Sequence, residues 1–133
     1  TRLKRIEDIP HPSGNGVAIQ QLLKLFQLTG EDRYRSAAES ALRIFSPSAS
    51  ELSIHAGMYY CGLDAWFRMV KITVEADPES DLARASRRFA GVATVIAYGE
   101  DRGRVVLCVN QSCSPPITDS ANIGPIFESL MRR

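Results

Sequence analysis

Apolar residues recur at helical spacing through the first half of the chain and predict three helices. The first helix runs from Gly16 to Leu28, and the second begins near Glu31 and continues to about Phe45. The short link Thr29-Gly30 predicts an antiparallel helical hairpin, with Gly30 as its left-handed cap. Residues 46–50 are typical of a loop. A third, aromatic-rich helix is predicted from about Ala49 to Arg68.

After Met69 the spacing of apolar residues changes to strict alternation, which is typical of a strand. The alternation covers residues 70–75, and an Asp-Pro turn then leads to a short helix from about Ser80 to Phe89. A second strand is predicted over Val92 to Tyr98, where the apolar run is continuous enough for burial on both faces. The first connection should be a right-handed crossover, which makes the first two strands parallel.

The end of the chain predicts one more strand and one more helix. Residues Gly99 to Gly103 resemble a hairpin loop, which would make a third strand, Arg104 to Asn110, antiparallel to the second. The last helix runs from about Ser120 to Met131. The predicted fold class is α+β. A helical hairpin and a long helix form one lobe, residues 1–69, and a small mixed three-stranded β-α-β-β-α lobe follows in residues 70–133.

Composition and charge narrow the kinds of partner. The 133 residues are 44% hydrophobic and 23% charged with a net charge of +1, so neither nucleic acid nor a membrane is expected as a partner. No apolar run approaches the ~20 residues of a membrane span, and no signal peptide is visible. Three cysteines indicate reduced thiols in a cytoplasm. Because the chain begins at Thr1, we expect a piece of a longer protein.

Three stretches together resemble a known family. They are PSGN at residues 12–15, LTGEDRY at 28–34 and CVNQSCSPPITD at 108–119. In this combination the chain resembles the C-terminal end of the spermatogenesis-associated thioredoxin-like proteins and their homologues. Those proteins join a thioredoxin-like domain to an (α/α)6 toroid similar to N-acylglucosamine 2-epimerases. The resemblance implies that the thioredoxin-like domain and most of the toroid lie outside these residues, and that both are partners of the chain.

The pair Cys108 and Cys113 is the main candidate for chemistry. Thiolates are nucleophiles and soft metal ligands, and a C-x4-C spacing can bring two sulfurs together across a turn. A reversible redox pair is one interpretation, and half of a metal site is another. In the third, Cys108 is a core residue of the strand and Cys113 an unpaired turn thiol. No metal site is predicted, because a zinc site needs four ligands at recognisable spacing.

Two further pairs of residues are weaker candidates. His55, with Glu51 one turn earlier on the predicted third helix, could act as an acid–base pair, or both could be surface residues. Ser13 and Asn15 could line the mouth of a pocket, or they could cap the first helix.

These observations leave three functions open, and they do not decide whether the chain is an enzyme. The first is a structural or interaction module that is not catalytic alone, with a possible homodimer through exposed helix faces. The second is a thiol redox module that uses Cys108 and Cys113. The third, which rests on the resemblance, is a part of a carbohydrate-directed toroid enzyme. No cofactor is predicted for the chain.

Overall fold

The first half of the chain, where apolar residues recur at helical spacing, forms three α-helices in the computed structural model. The structure describes residues 5–110 and 112–132. Helix α1 spans Gly14–Thr29, α2 spans Asp32–Leu52 and α3 spans Gly57–Arg68, with a 3-10 turn at Ser53–Ala56 between α2 and α3. The chain divides into two compact units at the bond between Phe67 and Arg68. The first is called the helical unit below and the second the sheet unit.

The helical hairpin of α1 and α2 ends and begins at the residues that the sequence indicates. Ser13 caps α1, and its Oγ accepts a hydrogen bond from the Gly16 backbone N–H at 3.1 Å. Gly30 adopts a left-handed conformation with φ of 73°, and its N–H donates to the carbonyl of Phe26 at 2.8 Å. Glycine takes this conformation without a steric penalty, so the turn between the two helices can be this short.

The predicted loop at residues 46–50 is wrong, since α2 continues through it to Leu52. Pro47 lacks a backbone N–H and would be expected to interrupt the helix. The buried stripe Ala38, Leu42, Phe45 and Ala49 keeps its helical spacing across the proline, however, and burial of that stripe favours continuation of the helix. The helix ends at Ser53, whose φ of 51° cannot continue a right-handed helix.

The predicted third helix is also shorter than expected. It was predicted from about Ala49, whereas α3 begins at Gly57, after the 3-10 turn. Close packing of α1 against α3 depends on two glycines. A Cβ at Gly16 would lie 2.7 Å from the Cβ of Met58, and one at Gly62 would lie 2.8 Å from Cγ2 of Ile19. Any larger residue at either position would force the two helices apart.

Among its described residues, the sheet unit contains four short strands, two α-helices and a 3-10 turn at Ser120–Asn122. The strands are β1 Val70–Glu75, β2 Thr94–Tyr98, β3 Arg104–Val109 and β4 Ser112–Cys113, and the helices are α4 Asp81–Arg87 and α5 Ile123–Met131. The class is therefore α+β, as the sequence predicts, with a fourth strand that the sequence did not reveal. None of the described helices is both long and apolar enough to cross a membrane.

The order of the strands is β2-β1-β3-β4, which corrects the predicted hairpin between the second and third strands. β1 pairs in parallel with β2, as predicted, and it pairs antiparallel with β3 on its other side. Residues 99–103 therefore pass the end of β1 instead of forming a tight turn. The N–H of Gly99 donates to the carbonyl of Val74 at 3.0 Å, and that of Arg102 donates to Glu75 at 2.8 Å.

β1 lies between two neighbours and is the most completely buried strand. Its residues Val70, Ile72 and Val74 are fully buried, whereas in β2 only Val95 is buried. The prediction that the second strand is buried on both faces is wrong, since Val95 is the one buried residue of β2 and its other residues are half-buried or exposed. β2 lies at an edge of the sheet.

The core of the sheet unit lies on one face of the sheet, under α4 and α5. The stacked rings of Phe89 and Phe127 lie beside it, with centroids 4.5 Å apart. Its fully or nearly fully buried members are Val70, Ile72, Val74, Ala76, Leu82, Ala83, Val105, Leu107, Ile117 and Ile123. Residues at the alternate positions of β1 and β3, among them Lys71 and Cys108, lie on the opposite face.

Candidate functional sites

Cys108 and Cys113 form a disulfide at the edge of the sheet. They are direct cross-strand partners in the register of β3 and β4, with an S–S distance of 2.09 Å and a Cα–Cα distance of 4.0 Å. The third cysteine, Cys61, is free and exposed on α3. The structure thus decides between the arrangements that the sequence left open, because Cys113 is bonded and is not an unpaired turn thiol. Whether the bond is reversible stays a prediction.

The local sequence brings the two cysteines together through a sharp turn and a short return strand. Asn110 adopts a φ of 54° after β3, a conformation that asparagine tolerates better than most residues. The returning chain remains paired with β3 beyond the disulfide. The Ser114 N–H donates to the carbonyl of Leu107 at 2.8 Å, and Val105 and Ile117 exchange two backbone hydrogen bonds of 2.8 Å. The two prolines at 115 and 116 lie between these contacts.

The two sulfurs have different surroundings. Cys113 is exposed on β4, the last strand of the sheet, whereas Cys108 is half-buried on β3. The cross-strand partner of Cys108 on β1 is Lys71, which is half-buried and whose own partner on β2 is Val95. A row across three strands therefore runs Cys113, Cys108, Lys71. A cation beside a sulfur favours its thiolate form.

The structure adds nothing in support of a metal site at the two cysteines. A disulfide has no free thiolate to offer, and thiolates are the form of cysteine that binds metals. Within residues 5–110 and 112–132, no group of three or more His, Cys, Asp or Glu side chains is placed to hold a metal ion.

Ser13 and Asn15 lie where the N-terminal segment meets α1. Ser13 is buried, with 6% of its surface exposed, and its backbone N–H donates to Oδ1 of Asp8 at 2.6 Å. Asn15 is half-exposed, and its side-chain amide donates to the carbonyl of Arg5 at 2.6 Å. Ser13 therefore has the capping role that was one of its two interpretations. A role for either residue at a pocket stays a prediction.

His55 and Glu51 do not lie on one helix as predicted. Glu51 is in the last turn of α2, and His55 is in the 3-10 turn after it, with the positive φ of Ser53 between them. Both side chains are exposed. The backbone carbonyl of His55 accepts a hydrogen bond of 2.7 Å from the Asp8 N–H. The helical geometry assumed for an acid–base pair is therefore absent, and a catalytic role for these residues stays a prediction.

The helical unit has an open cleft between α2 and α3, with a volume of about 250 Å³. Phe67 forms part of its wall, with 61% of its surface exposed. The remaining lining residues are Glu39, Leu42, Arg43, Ser46, Tyr59, Leu63 and Trp66. Glu39 and Arg43 form an exposed ion pair of 2.8 Å, so one wall of the cleft is charged and the other is aromatic.

Aromatic side chains at the cleft are held in place by polar contacts. The Tyr59 hydroxyl donates to the carbonyl of Leu42 at 2.9 Å, which ties α3 to α2 inside the cleft. The guanidinium of Arg35 lies 5.1 Å from the centroid of the Trp66 ring and 5.6 Å from that of Phe26. Such cation–π contacts fix the orientation of a ring without covering both of its faces.

An ion pair lies at the other end of the sheet unit, away from the disulfide. The Arg104 side chain donates to the carboxylate of Glu75, its cross-strand partner, and both groups are largely screened from solvent. The hydrogen bond from Arg104 lowers the pKa of Glu75 below its ordinary value of 4.5, although burial acts in the opposite direction. The charges of Arg104 and Arg102 lower the pKa further. The pair joins the end of β1 to the start of β3.

Sequence reasoning did not identify two of the residues that matter here, Asp8 and Lys71. Asp8 joins segments 50 residues apart, and its Oδ2 accepts from the Met58 N–H at 2.8 Å. Lys71 becomes the neighbour of Cys108 only through the pairing of β1 with β3. The alternation of residues 70–75 placed Lys71 on the polar face of its strand, but only the strand order could reveal its partner.

The chain was also compared with known proteins. Protein-family models, curated proteins and solved structures give no match to it. The resemblance carried by residues 12–15, 28–34 and 108–119 is therefore untested and stays an expectation. The two candidate sites of the chain are the cleft and the disulfide.

Proposed function

We propose that the chain is a structural and interaction module of a larger protein, and that its cleft between α2 and α3 receives an apolar helix. The observation that carries this proposal is the exposure of Phe67 in the cleft wall, beside Trp66 and Leu42. A large aromatic side chain that remains mostly in water favours burial by a partner, because each Å² of apolar surface removed from water contributes about 25 cal/mol.

The partner that fits this cleft is another helix of the parent protein. Helices pack by inserting side chains between the ridges of their neighbours, and two adjacent helices with an open groove offer such a surface. The resemblance implies toroid helices and a thioredoxin-like domain beyond these residues. When the chain is isolated from them, we expect a second copy to cover the same surface and form a homodimer.

Sedimentation of the isolated chain tests this proposal. We expect self-association at tens of micromolar, and we expect Phe67→Ser to shift the equilibrium at least tenfold towards monomer. Ile54→Ser is the matched control, because Ile54 is 84% exposed but does not line the cleft. A wild-type chain that remains monomeric at millimolar concentration would contradict the proposal.

A carbohydrate-directed role belongs, in this proposal, to the parent protein and not to this module alone. The toroid that the resemblance implies would be incomplete within these residues. Titration of the isolated chain with simple sugars and N-acylated amino sugars should give no heat of binding. Robust binding by the isolated chain would contradict this proposal and indicate that the chain itself binds carbohydrate.

A second candidate function, a thiol redox module, is favoured by the disulfide between Cys108 and Cys113. We propose a cytoplasmic location, where glutathione and related thiols keep most cysteines reduced. A disulfide that forms there is transient and cycles between its two states. Its position at the exposed edge of the sheet gives thiols direct access to it.

Counting reactive thiols before and after reduction tests the redox function. The native oxidised chain should react with one equivalent of a thiol reagent, at Cys61, and the folded reduced chain with three. Removal of the reductant under mild oxidation should restore the count of one. Cys61→Ser is the control and should give counts of zero and two. If the Cys108–Cys113 disulfide resists reduction while the chain is folded, the proposed redox function is wrong.

A further inference from the structure

We infer that an external dithiol reduces this disulfide by attacking the sulfur of Cys113, and that Lys71 stabilises the Cys108 thiolate that leaves. The inference rests on the redox function proposed above and specifies its substrate class, its direction and its positioning residue. It follows from the row of Cys113, Cys108 and Lys71 across three strands of the sheet.

The geometry of displacement at sulfur favours attack at Cys113. An attacking thiolate approaches along the S–S axis, from the side opposite the sulfur that leaves. Cys113 is exposed on β4, the last strand of the sheet among the described residues. Cys108 is half-buried on β3, which has β4 on one side and β1 on the other, with Lys71 at the paired position of β1. Cys113 is therefore the more accessible sulfur for an incoming thiolate, and Cys108 is the more shielded one.

Lys71 is placed to assist this direction of attack. Direct cross-strand partners have Cβ atoms about 5 Å apart, so the ammonium of Lys71 can reach the sulfur of Cys108. Thiol exchange is faster when the leaving thiol has a lower pKa, and a neighbouring cation lowers that pKa. The other partner of Lys71 is Val95, which is apolar, and the nearest carboxylate along β1, Glu75, is engaged by Arg104.

The reaction is a two-electron exchange between the disulfide and the dithiol. One thiolate of the dithiol attacks Sγ of Cys113, the Cys108–Cys113 bond breaks, and Cys108 leaves as a thiolate. The second thiol of the reductant then attacks the reductant sulfur that is bonded to Cys113. A cyclic disulfide forms within the reductant, and Cys113 leaves as a thiolate. The dithiol is oxidised to a cyclic disulfide, both cysteines are reduced, and the two protons of the dithiol pass to the cysteine thiolates.

Reduction rates of folded variants test the role of Lys71. We expect dithiothreitol to reduce Lys71→Met roughly three- to tenfold more slowly than wild type, and Lys71→Arg within about twofold of wild type. Thr73→Val is the matched control, because Thr73 lies on the same face of β1 but pairs with Val106, and its rate should not change. Circular dichroism establishes that each variant is folded.

The outcomes separate this inference from the redox function on which it rests. If dithiothreitol does not reduce the folded wild-type chain, the redox function itself is wrong. If it reduces wild type and Lys71→Met at equal rates, the redox function stands and the role of Lys71 is wrong.

The direction of attack has its own experiment. Glutathione is added to the oxidised chain, the intermediate is trapped with iodoacetamide, and tandem mass spectrometry locates the two modifications. We expect glutathione on Cys113 and the carbamidomethyl group on Cys108. The reverse placement, or an equal mixture of the two, overturns the inferred direction.

Discussion

A single carboxylate, that of Asp8, joins the starts of two helices in the helical unit. Its Oδ1 accepts from the Ser13 N–H at the start of α1, and its Oδ2 accepts from the Met58 N–H at the start of α3. The first N–H groups of a helix have no partner within the helix and carry a partial positive charge. A negative group between two such ends satisfies donors of both and holds α1 and α3 together.

Replacement of Asp8 should therefore weaken the whole helical unit. We expect Asp8→Ala to lower the free energy of unfolding by about 3 kcal/mol, because two charge-assisted hydrogen bonds are lost and their donors are left unpaired. Urea unfolding followed by the fluorescence of Trp66, the one tryptophan of the chain, measures this unit. The neighbouring Glu7→Ala serves as the control, and equal losses for the two variants would contradict the role given to Asp8.

The lowered pKa of Glu75 predicts a dependence of stability on pH. A carboxyl group whose pKa is lower in the folded state contributes stability that is complete above its unfolded pKa, near 4.5, and is lost as the pH falls through its folded value. The difference in urea midpoint between wild type and Glu75→Gln should therefore be constant above about pH 5.5 and shrink below pH 4.5.

The urea midpoint of the sheet unit is followed by the hydrogen-exchange protection of the β1 amides, because Trp66 lies in the helical unit. Glu79→Gln is the matched control, because Glu79 is exposed in the turn before α4. The proposal about Glu75 fails if its variant and this control show the same profile from pH 3 to pH 7.

At the scale of residues, the sequence predicts local contacts and misses distant ones. The cap at Ser13 and the left-handed Gly30 follow from neighbours within four residues, and both are present. The contact of Asp8 with Met58 spans 50 residues. No local pattern records such a contact, since the position of α3 depends on how the whole helical unit packs.

At the scale of elements, α2 shows how burial overrides a local preference. Residues 46–50 contain a proline and three serines, which predict a loop, yet they form helix. The buried Phe45 and Ala49 lie on one stripe on either side of Pro47, and their packing outweighs the lost hydrogen bond. When buried residues keep their helical spacing on both sides of a proline, that spacing is stronger evidence for a helix than the proline is evidence against one.

β4 is only two residues long and lies at the edge of the sheet, so we expect the disulfide to contribute most to stability at this strand. We expect Cys113→Ser to lower the free energy of unfolding by about 2 kcal/mol, because the disulfide closes a loop of only six residues, 108–113. Protection of the Ile117 amide should persist, since that residue is buried and pairs with Val105. Hydrogen exchange measures both effects.

Cys61→Ser is the control for this experiment, because Cys61 is exposed and free. A loss of Ile117 protection in Cys113→Ser would show that the disulfide holds the entire segment after β3 and not β4 alone.

At the scale of the whole molecule, the class of fold was predictable and the order of strands was not. The change from helical spacing to alternation after Met69 separates helices from sheet, and the α+β class follows from it. Alternation along a strand does not say which strand is its neighbour. Val70, Ile72 and Val74 are fully buried in β1, but the pairing of β1 with both β2 and β3 is visible only in the structure.

The central place of β1 has a consequence for synthesis on the ribosome. β1 is the first strand of its sheet to be made, yet both strands that cover its edges come later, and the second of them ends at Val109. A nascent chain therefore carries an apolar strand with two open edges until β2 ends at Tyr98, and with one open edge until β3 ends at Val109, roughly 35 residues after β1. Such strands associate readily with other chains, so holdase chaperones should bind the nascent chain during this interval and release it once β3 has emerged.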